Sequence, residues 1–196
     1  MRIVGGEHRG RKLFAPEGEA TRPTSEKVRE ALFDILGARV AGAAFGDLYA
    51  GTGAVGLEAL SRGATRCLFV ERRRRALECL RRNIEALRAG PRARILPVDA
   101  AQAVALLEKE GPPLDILFCD PPYADGRWPS LLAAMGASGI LAAGCLLVVE
   151  HAAKALPACP EGMKLRRSYR YGDTGLTVFE RTDEERRGCG NGEMRR

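Results

Sequence analysis

Phe45-Gly-Asp-Leu-Tyr-Ala50-Gly-Thr-Gly-Ala-Val-Gly56 leaves a short apolar run and opens a helical pattern. Gly51, Gly53 and Gly56 fall in the spacing G-x-G-x-x-G. Glycines there let the backbone turn tightly and come close to a ligand. The next apolar run, 66–70, ends at Glu71, twenty positions after Gly51. An acid so placed can accept hydrogen bonds from ribose hydroxyls. Asp47, Ala50, Gly51, Thr52, Gly53, Gly56, Glu71 and Arg72 are therefore candidate cofactor-binding residues. The competing reading is a tight strand–helix turn with Glu71 merely solvated.

Outward from this loop the pattern repeats as strand, loop and helix. Strands read at 45–49, 66–70, 94–98, 114–119 and 145–150, and helices at about 54–62, 72–88, 100–109 and 128–135. Such alternation predicts an α/β fold, with a mostly parallel sheet covered by helices on both faces. Two later runs, 164–171 and 175–181, meet at Gly172-Asp-Thr-Gly175 and predict an antiparallel hairpin at the sheet edge, for seven strands in all. Ahead of the sheet, Val28, Ala31, Leu32, Ile35 and Leu36 form an amphipathic helical stripe. Thr24 or Ser25 can cap that helix and Gly37 can end it. Residues 1–20 read as a small basic β-hairpin extension, 21–182 as one domain, and 183–196 as a polar, disordered tail.

Two further acids stand at strand ends. Asp99 closes Ile95-Leu-Pro-Val-Asp99-Ala100, where it can accept from an adenine amine or cap the helix that follows. A carboxylate has two oxygens, so both roles can coexist, with Ala100 beside it. Asp120-Pro-Pro-Tyr123 follows the apolar run 114–119. Its prolines lack N–H groups and have fixed φ, so the backbone is stiff and its carbonyls can face a substrate. Asp120, Pro121, Pro122 and Tyr123 thus suit gripping a planar NH2 group, with acceptors for its hydrogens and a ring behind it. The plainer readings are a solvated turn aspartate and a core tyrosine.

The chain has 196 residues, 45% hydrophobic and 29% charged, as expected of one globular domain. No apolar run approaches the roughly 18 residues of a membrane span, and the start lacks a signal-peptide core. A cytoplasmic protein without a membrane partner is expected. Six scattered cysteines and two histidines make no ligand-like spacing, so no metal site is expected. Cys67, Cys119 and Cys145 lie in apolar runs and read as core.

These motifs, in this order, resemble Rossmann-like class I methyltransferases that use S-adenosylmethionine. Asp-Pro-Pro-Tyr is similar to the form found where exocyclic amines are methylated. The block Gly5-Gly-Glu-His-Arg-Gly-Arg-Lys-Leu13, then Thr21-Arg-Pro-Thr-Ser-Glu-Lys-Val-Arg-Glu-Ala-Leu-Phe33, with Glu150-His151 and Tyr171-Gly-Asp-Thr174, resembles the RsmD family. Tyr49 and Thr52 stand where that family more usually has Phe and Ser. The resemblance covers about residues 1–181. It implies methyl transfer to a guanine N2 of 16S ribosomal RNA, at the position usually numbered 966. It also implies S-adenosylmethionine as cofactor and the rRNA or the small ribosomal subunit as partner. No association helix or apolar stripe stands out, so a monomer is expected. Adenine N6 is the nearest alternative target; an NAD-dependent oxidoreductase and a nonenzymatic RNA-binding module are alternatives of other classes.

Net charge is +6, and Arg2, Arg9, Arg11, Lys12, Arg22, Lys27 and Arg29 crowd the first thirty residues. Arg9, Arg11, Lys12, Arg22 and Lys27 are candidate RNA-binding residues, since cations on an arm suit phosphate contacts. Ordinary ion pairs with nearby glutamates are the alternative. Arg72 to Arg75 open a helix, where the macrodipole disfavours positive charge. RNA phosphate, a neighbouring carboxylate or plain solvation could offset that. Thr24 lies in a polar turn that can cap a helix or hold the carboxylate of a cofactor.

Overall fold

A computed structural model describes residues 1–16, 25–122 and 126–182. Helix α1 (Glu26–Leu36) precedes β1 (Ala44–Leu48), α2 (Ala54–Ser61), β2 (Arg66–Val70), α3 (Arg74–Ala86) and β3 (Ala93–Leu96). Then come α4 (Ala100–Glu110), β4 (Leu114–Cys119), α5 (Trp128–Ala137), β5 (Leu141–Ala152), β6 (Met163–Tyr171) and β7 (Thr174–Arg181). The seven strands form one sheet in the order β3-β2-β1-β4-β5-β7-β6. β1 to β5 pair in parallel, while β7 runs antiparallel to both β5 and β6. The predicted hairpin therefore forms, with β6 as its outer strand.

The order places a topological switch point between β1 and β4. The chain winds outward from β1 to β3, then returns to start β4 on the other side. Diverging connections leave a crevice at the carboxyl ends of those strands, where open α/β sheets bind ligands.

Burial explains the layers. One core packs α1, α2 and α3 on the sheet through Leu32, Phe33, Leu57, Leu60 and Leu80. The other packs α4 and α5 through Val104, Leu107, Leu132 and Met135. Cys67, Cys119 and Cys145 are core residues, and burial pushes their thiols well above the usual range. Ser25 caps α1 by accepting from the Val28 N–H at 3.2 Å, and Gly37 ends it at φ 53°.

The boundaries differ where local chemistry intervenes. β3 stops at Leu96, because Pro97 cannot donate to a ladder. α3 starts at Arg74 rather than 72, because Glu71 holds the preceding N–H groups. The basic N-terminal hairpin pairs through one bridge, Arg2 with Lys12, flanked by the bonds Ile3 N–H to Arg11 O and Gly10 N–H to Ile3 O, both 2.9 Å. Its apolar residues Ile3 and Leu13 are buried, and hydrogen bonds to Arg29, Glu58, Ser61 and Asn83 tie the arm to α1, α2 and α3. Residues 17–24, Tyr123 and the predicted tail lie outside the described residues.

Candidate active site

A cavity of about 670 Å³ opens at the switch point. Glu71 and Arg72 reach it from the end of β2, Asp99 and Ala100 from the start of α4, and Asp120, Pro121 and Pro122 from the end of β4. Three acids, two at strand ends and one at the cap of α4, thus line one cavity. Val98, Ala101, Val104 and Leu131 add apolar surface. The volume lies within the 300–1,000 Å³ or so typical of small-molecule sites. Tyr123 and Thr24 lie outside the described residues.

The glycine loop stands behind the wall. Asp47 is 2% exposed, and its carboxylate accepts from the Gly56 N–H at 2.9 Å, fixing the start of α2. Burial pushes its pKa up to about 7, despite the Gly56 N–H, and the nearby Glu71 adds to the rise. Ala50 donates to Val70 O at 2.9 Å and accepts from the Gly53 N–H at 2.8 Å. Gly53 has φ 84°, and a Cβ there would lie 2.4 Å from the Leu80 side chain. A Cβ on Gly56 would lie 2.4 Å from the Phe69 ring. Gly53 therefore lets the start of α2 pack against α3 and Gly56 seats α2 on β2, packing roles the motif alone does not reveal. Asp47, Ala50, Gly51, Thr52, Gly53 and Gly56 shape the site without lining the cavity.

Glu71 is 5% exposed and organises the rim. One oxygen accepts from Gly51 N–H at 2.9 Å; the other accepts from Arg72 N–H at 2.9 Å and Arg73 N–H at 2.7 Å. The guanidinium of Arg73 adds contacts at 3.2 and 3.3 Å. At the helix start Glu71 thus offsets the charge of Arg73, while Arg74 pairs with Glu78 at 3.3 Å and Arg72 and Arg75 are exposed. Asp99 caps α4, with one oxygen accepting from Gln102 N–H at 2.9 Å, and still faces the cavity.

Tyr49, Arg73, Arg127, Ser130 and Glu150 also line the cavity and were not among the expected site residues. Tyr49 adopts φ 81°, a left-handed conformation that bulky residues seldom take. Its ring meets Trp128 edge-on, with centroids 6.4 Å apart. A non-glycine residue directly before a glycine loop was the available signal.

The arm is locked to this site by buried polar groups. Arg29, grouped with surface cations in the sequence, is fully buried and pairs with Glu58 at 2.8 Å, so it is no phosphate contact. Glu58 also accepts from Val4 N–H at 3.2 Å and from Arg62 at 2.9 Å. Ser61 donates to Gly5 O at 2.6 Å and accepts from His8 N–H at 2.9 Å. Asn83, fully buried on α3, accepts from Phe14 N–H at 2.7 Å and donates to Phe14 O at 3.0 Å and Thr52 O at 2.9 Å. One amide therefore joins the arm to the glycine loop. Arg9, Arg11, Lys12 and Lys27 are exposed, and Arg22 lies outside the described residues. His151 and Thr174 are both buried at the edge hairpin instead, where the imidazole Nε2 meets Thr177 Oγ1 at 2.8 Å.

The family model described as conserved hypothetical protein 95 matches residues 1–180. Ribosomal RNA small subunit methyltransferase D of Escherichia coli K12 is 36% identical over 182 residues, covering 92% of this chain and 90% of that protein. YlbH of Bacillus subtilis is 33% identical over 182 residues, covering 92% and 99%. Among solved structures, yhhF of Escherichia coli superposes with a TM-score of 0.81 at 36% identity, covering 93% of this chain and 98% of that one.

Proposed function

The chain belongs to the RsmD family, described as conserved hypothetical protein 95, and on that premise we propose that it methylates an exocyclic amine of small-subunit ribosomal RNA, the N2 of a guanine. The observation that carries this reading is the shared cavity. Asp120, Pro121 and Pro122 line the same cavity as Glu71 and Asp99, which supports an amine clamp and a nucleoside site sharing one space.

S-adenosylmethionine fits the residues present, and when bound it supplies an electrophilic methyl on a sulfonium cation. Glu71 would accept from the ribose hydroxyls. Its backbone partners hold it in place, while Arg73, whose side chain is half exposed, can withdraw and release acceptor positions. Asp99 would accept from the adenine amine with the oxygen not engaged by Gln102, beside the apolar lining of Val98, Val104 and Leu131.

The acceptor nitrogen is a weak nucleophile, because its lone pair is delocalised into the base. The Asp120 carboxylate and the Pro121 carbonyl accept its two hydrogens, enrich the nitrogen and aim its lone pair. That is preorganisation of orientation and charge. Tyr123, outside the described residues, would supply the ring that stacks on the extruded base. As the new N–C bond forms, the donor's S–C bond would break and S-adenosylhomocysteine would leave, and the nitrogen's surplus proton would pass to Asp120 Oδ or to water. Exposed Arg9, Arg11, Lys12 and Lys27 supply phosphate contacts, which position RNA without reading its sequence.

Calorimetry and turnover together test this assignment. S-adenosylhomocysteine should bind and NAD should not, and Asp120→Ala should keep that binding while losing at least about a hundredfold in methyl transfer, the scale of a lost preorganised polar contact. NAD binding, or near wild-type turnover of Asp120→Ala, would contradict it.

A further inference from the structure

Phe14 is an exposed apolar side chain in a basic neighbourhood, 43% accessible at the end of the N-terminal arm. Its position is fixed. Asn83 takes both polar groups of its backbone, the N–H at 2.7 Å and the C=O at 3.0 Å, so the ring is held outward on a rigid support. The guanidinium of Arg82 lies over that ring, 4.0 Å from its centroid. This is well inside the roughly 6 Å reach of a cation–π contact. Helix α3 and its flanks carry seven arginines between 72 and 88 against only Glu78 and Glu85. Arg75, Arg81 and Arg82 are exposed, as are Arg11 and Lys12 on the adjoining arm.

A ring merely shielded from water needs neither a double backbone anchor nor such a density of cations. Unpaired RNA bases stack on aromatic rings and on guanidinium planes, while surrounding cations take the phosphates. We propose that the Phe14–Arg82 pair is a stacking platform for an unpaired base of the RNA, distinct from the base that is methylated. The inference rests on the rRNA reading above and adds a contact to it. Through Asn83, which also donates to Thr52 O at 2.9 Å, the platform is tied to the cofactor loop, so RNA held there has a fixed relation to the methyl donor site.

Phe14→Leu and Phe14→Tyr separate stacking from simple apolar cover. The affinity of each full-length variant for a small-subunit rRNA fragment is measured across a salt titration, with S-adenosylhomocysteine binding as a control. Phe14→Leu should weaken RNA binding about tenfold, the scale of one lost base–aromatic stack. The salt dependence should keep its slope, because no phosphate contact is removed. Phe14→Tyr should bind within about twofold of wild type, since the stacking ring is retained. Wild-type RNA affinity in Phe14→Leu would overturn the platform and leave the methyltransferase reading intact. Loss of S-adenosylhomocysteine binding in Phe14→Leu would reassign the ring to a structural role and overturn it too. Failure of the wild-type protein to bind the rRNA fragment would overturn both.

Discussion

Asp47 and Asn83 act on the cofactor loop without facing the cavity, and each has its own signature. Asp47 titrates near pH 7 in the folded state, well above its usual 3.8, because burial disfavours its charge. Between those values the folded state holds a proton that the unfolded state has lost. Its contribution to stability is thus present at low pH and falls as pH rises through about 7. Asp47→Asn keeps an acceptor for the Gly56 N–H without the charge. The melting temperature of the variant relative to wild type should rise from pH 5 to pH 8, and a flat difference would contradict the titration. Asn83→Leu removes the three hydrogen bonds that the fully buried amide makes to the backbones of Phe14 and Thr52, at about 0.5–1.5 kcal/mol each. Denaturant unfolding should show that loss, with weaker S-adenosylhomocysteine binding; unchanged values of both would contradict the coupling. Asp47, Glu71, Asp99 and Asp120 were legible in the sequence because each stands at a strand end in an ordered motif. Asn83, Glu58 and Arg29 were not, because a polar residue in a charged amphipathic helix reads as solvated. Their burial depends on an arm that returns from 69 positions away to meet Asn83 and 54 away to meet Glu58.

At the scale of elements, strands and helices followed from alternating apolar runs and turn residues, while their ends followed from contacts. Pro97 cut β3 short, and Glu71 delayed α3. The edge hairpin was legible from Gly172-Asp-Thr-Gly175, but not its lock. A Cβ on Gly175 would come within 2.3 Å of the His151 ring, which bridges to Thr177 on β7. Gly175→Ala should therefore destabilise the protein by about 1–3 kcal/mol, the usual cost of overpacking. Urea unfolding measures it, and an unchanged midpoint would show that the imidazole can move aside freely. The arm belongs to this scale as well. Its identity as a basic extension was legible, but its ties to α2 and α3 were not, since they run through Glu58, Ser61 and Asn83, polar residues of helices that read as solvated.

For the whole molecule, the sheet order brings three distant acids to one cavity and sets the cationic arm and α3 beside the loop that shapes it. A surface of this kind predicts salt-sensitive RNA binding. Arg9→Ala with Arg11→Ala should weaken affinity for rRNA and lower the steepness of its salt dependence by about one to two released counterions. An unchanged slope would remove the arm from the interface. The central claim is that the Asp120 wall presents an exocyclic amine of rRNA to a methyl donor. Its most direct test is transfer of a labelled methyl group from S-adenosylmethionine to small-subunit rRNA or subunits, followed by mapping of the modified atom. Label on the N2 of a single guanine is the predicted result; label on an adenine or on protein, or no transfer to RNA at all, would contradict it.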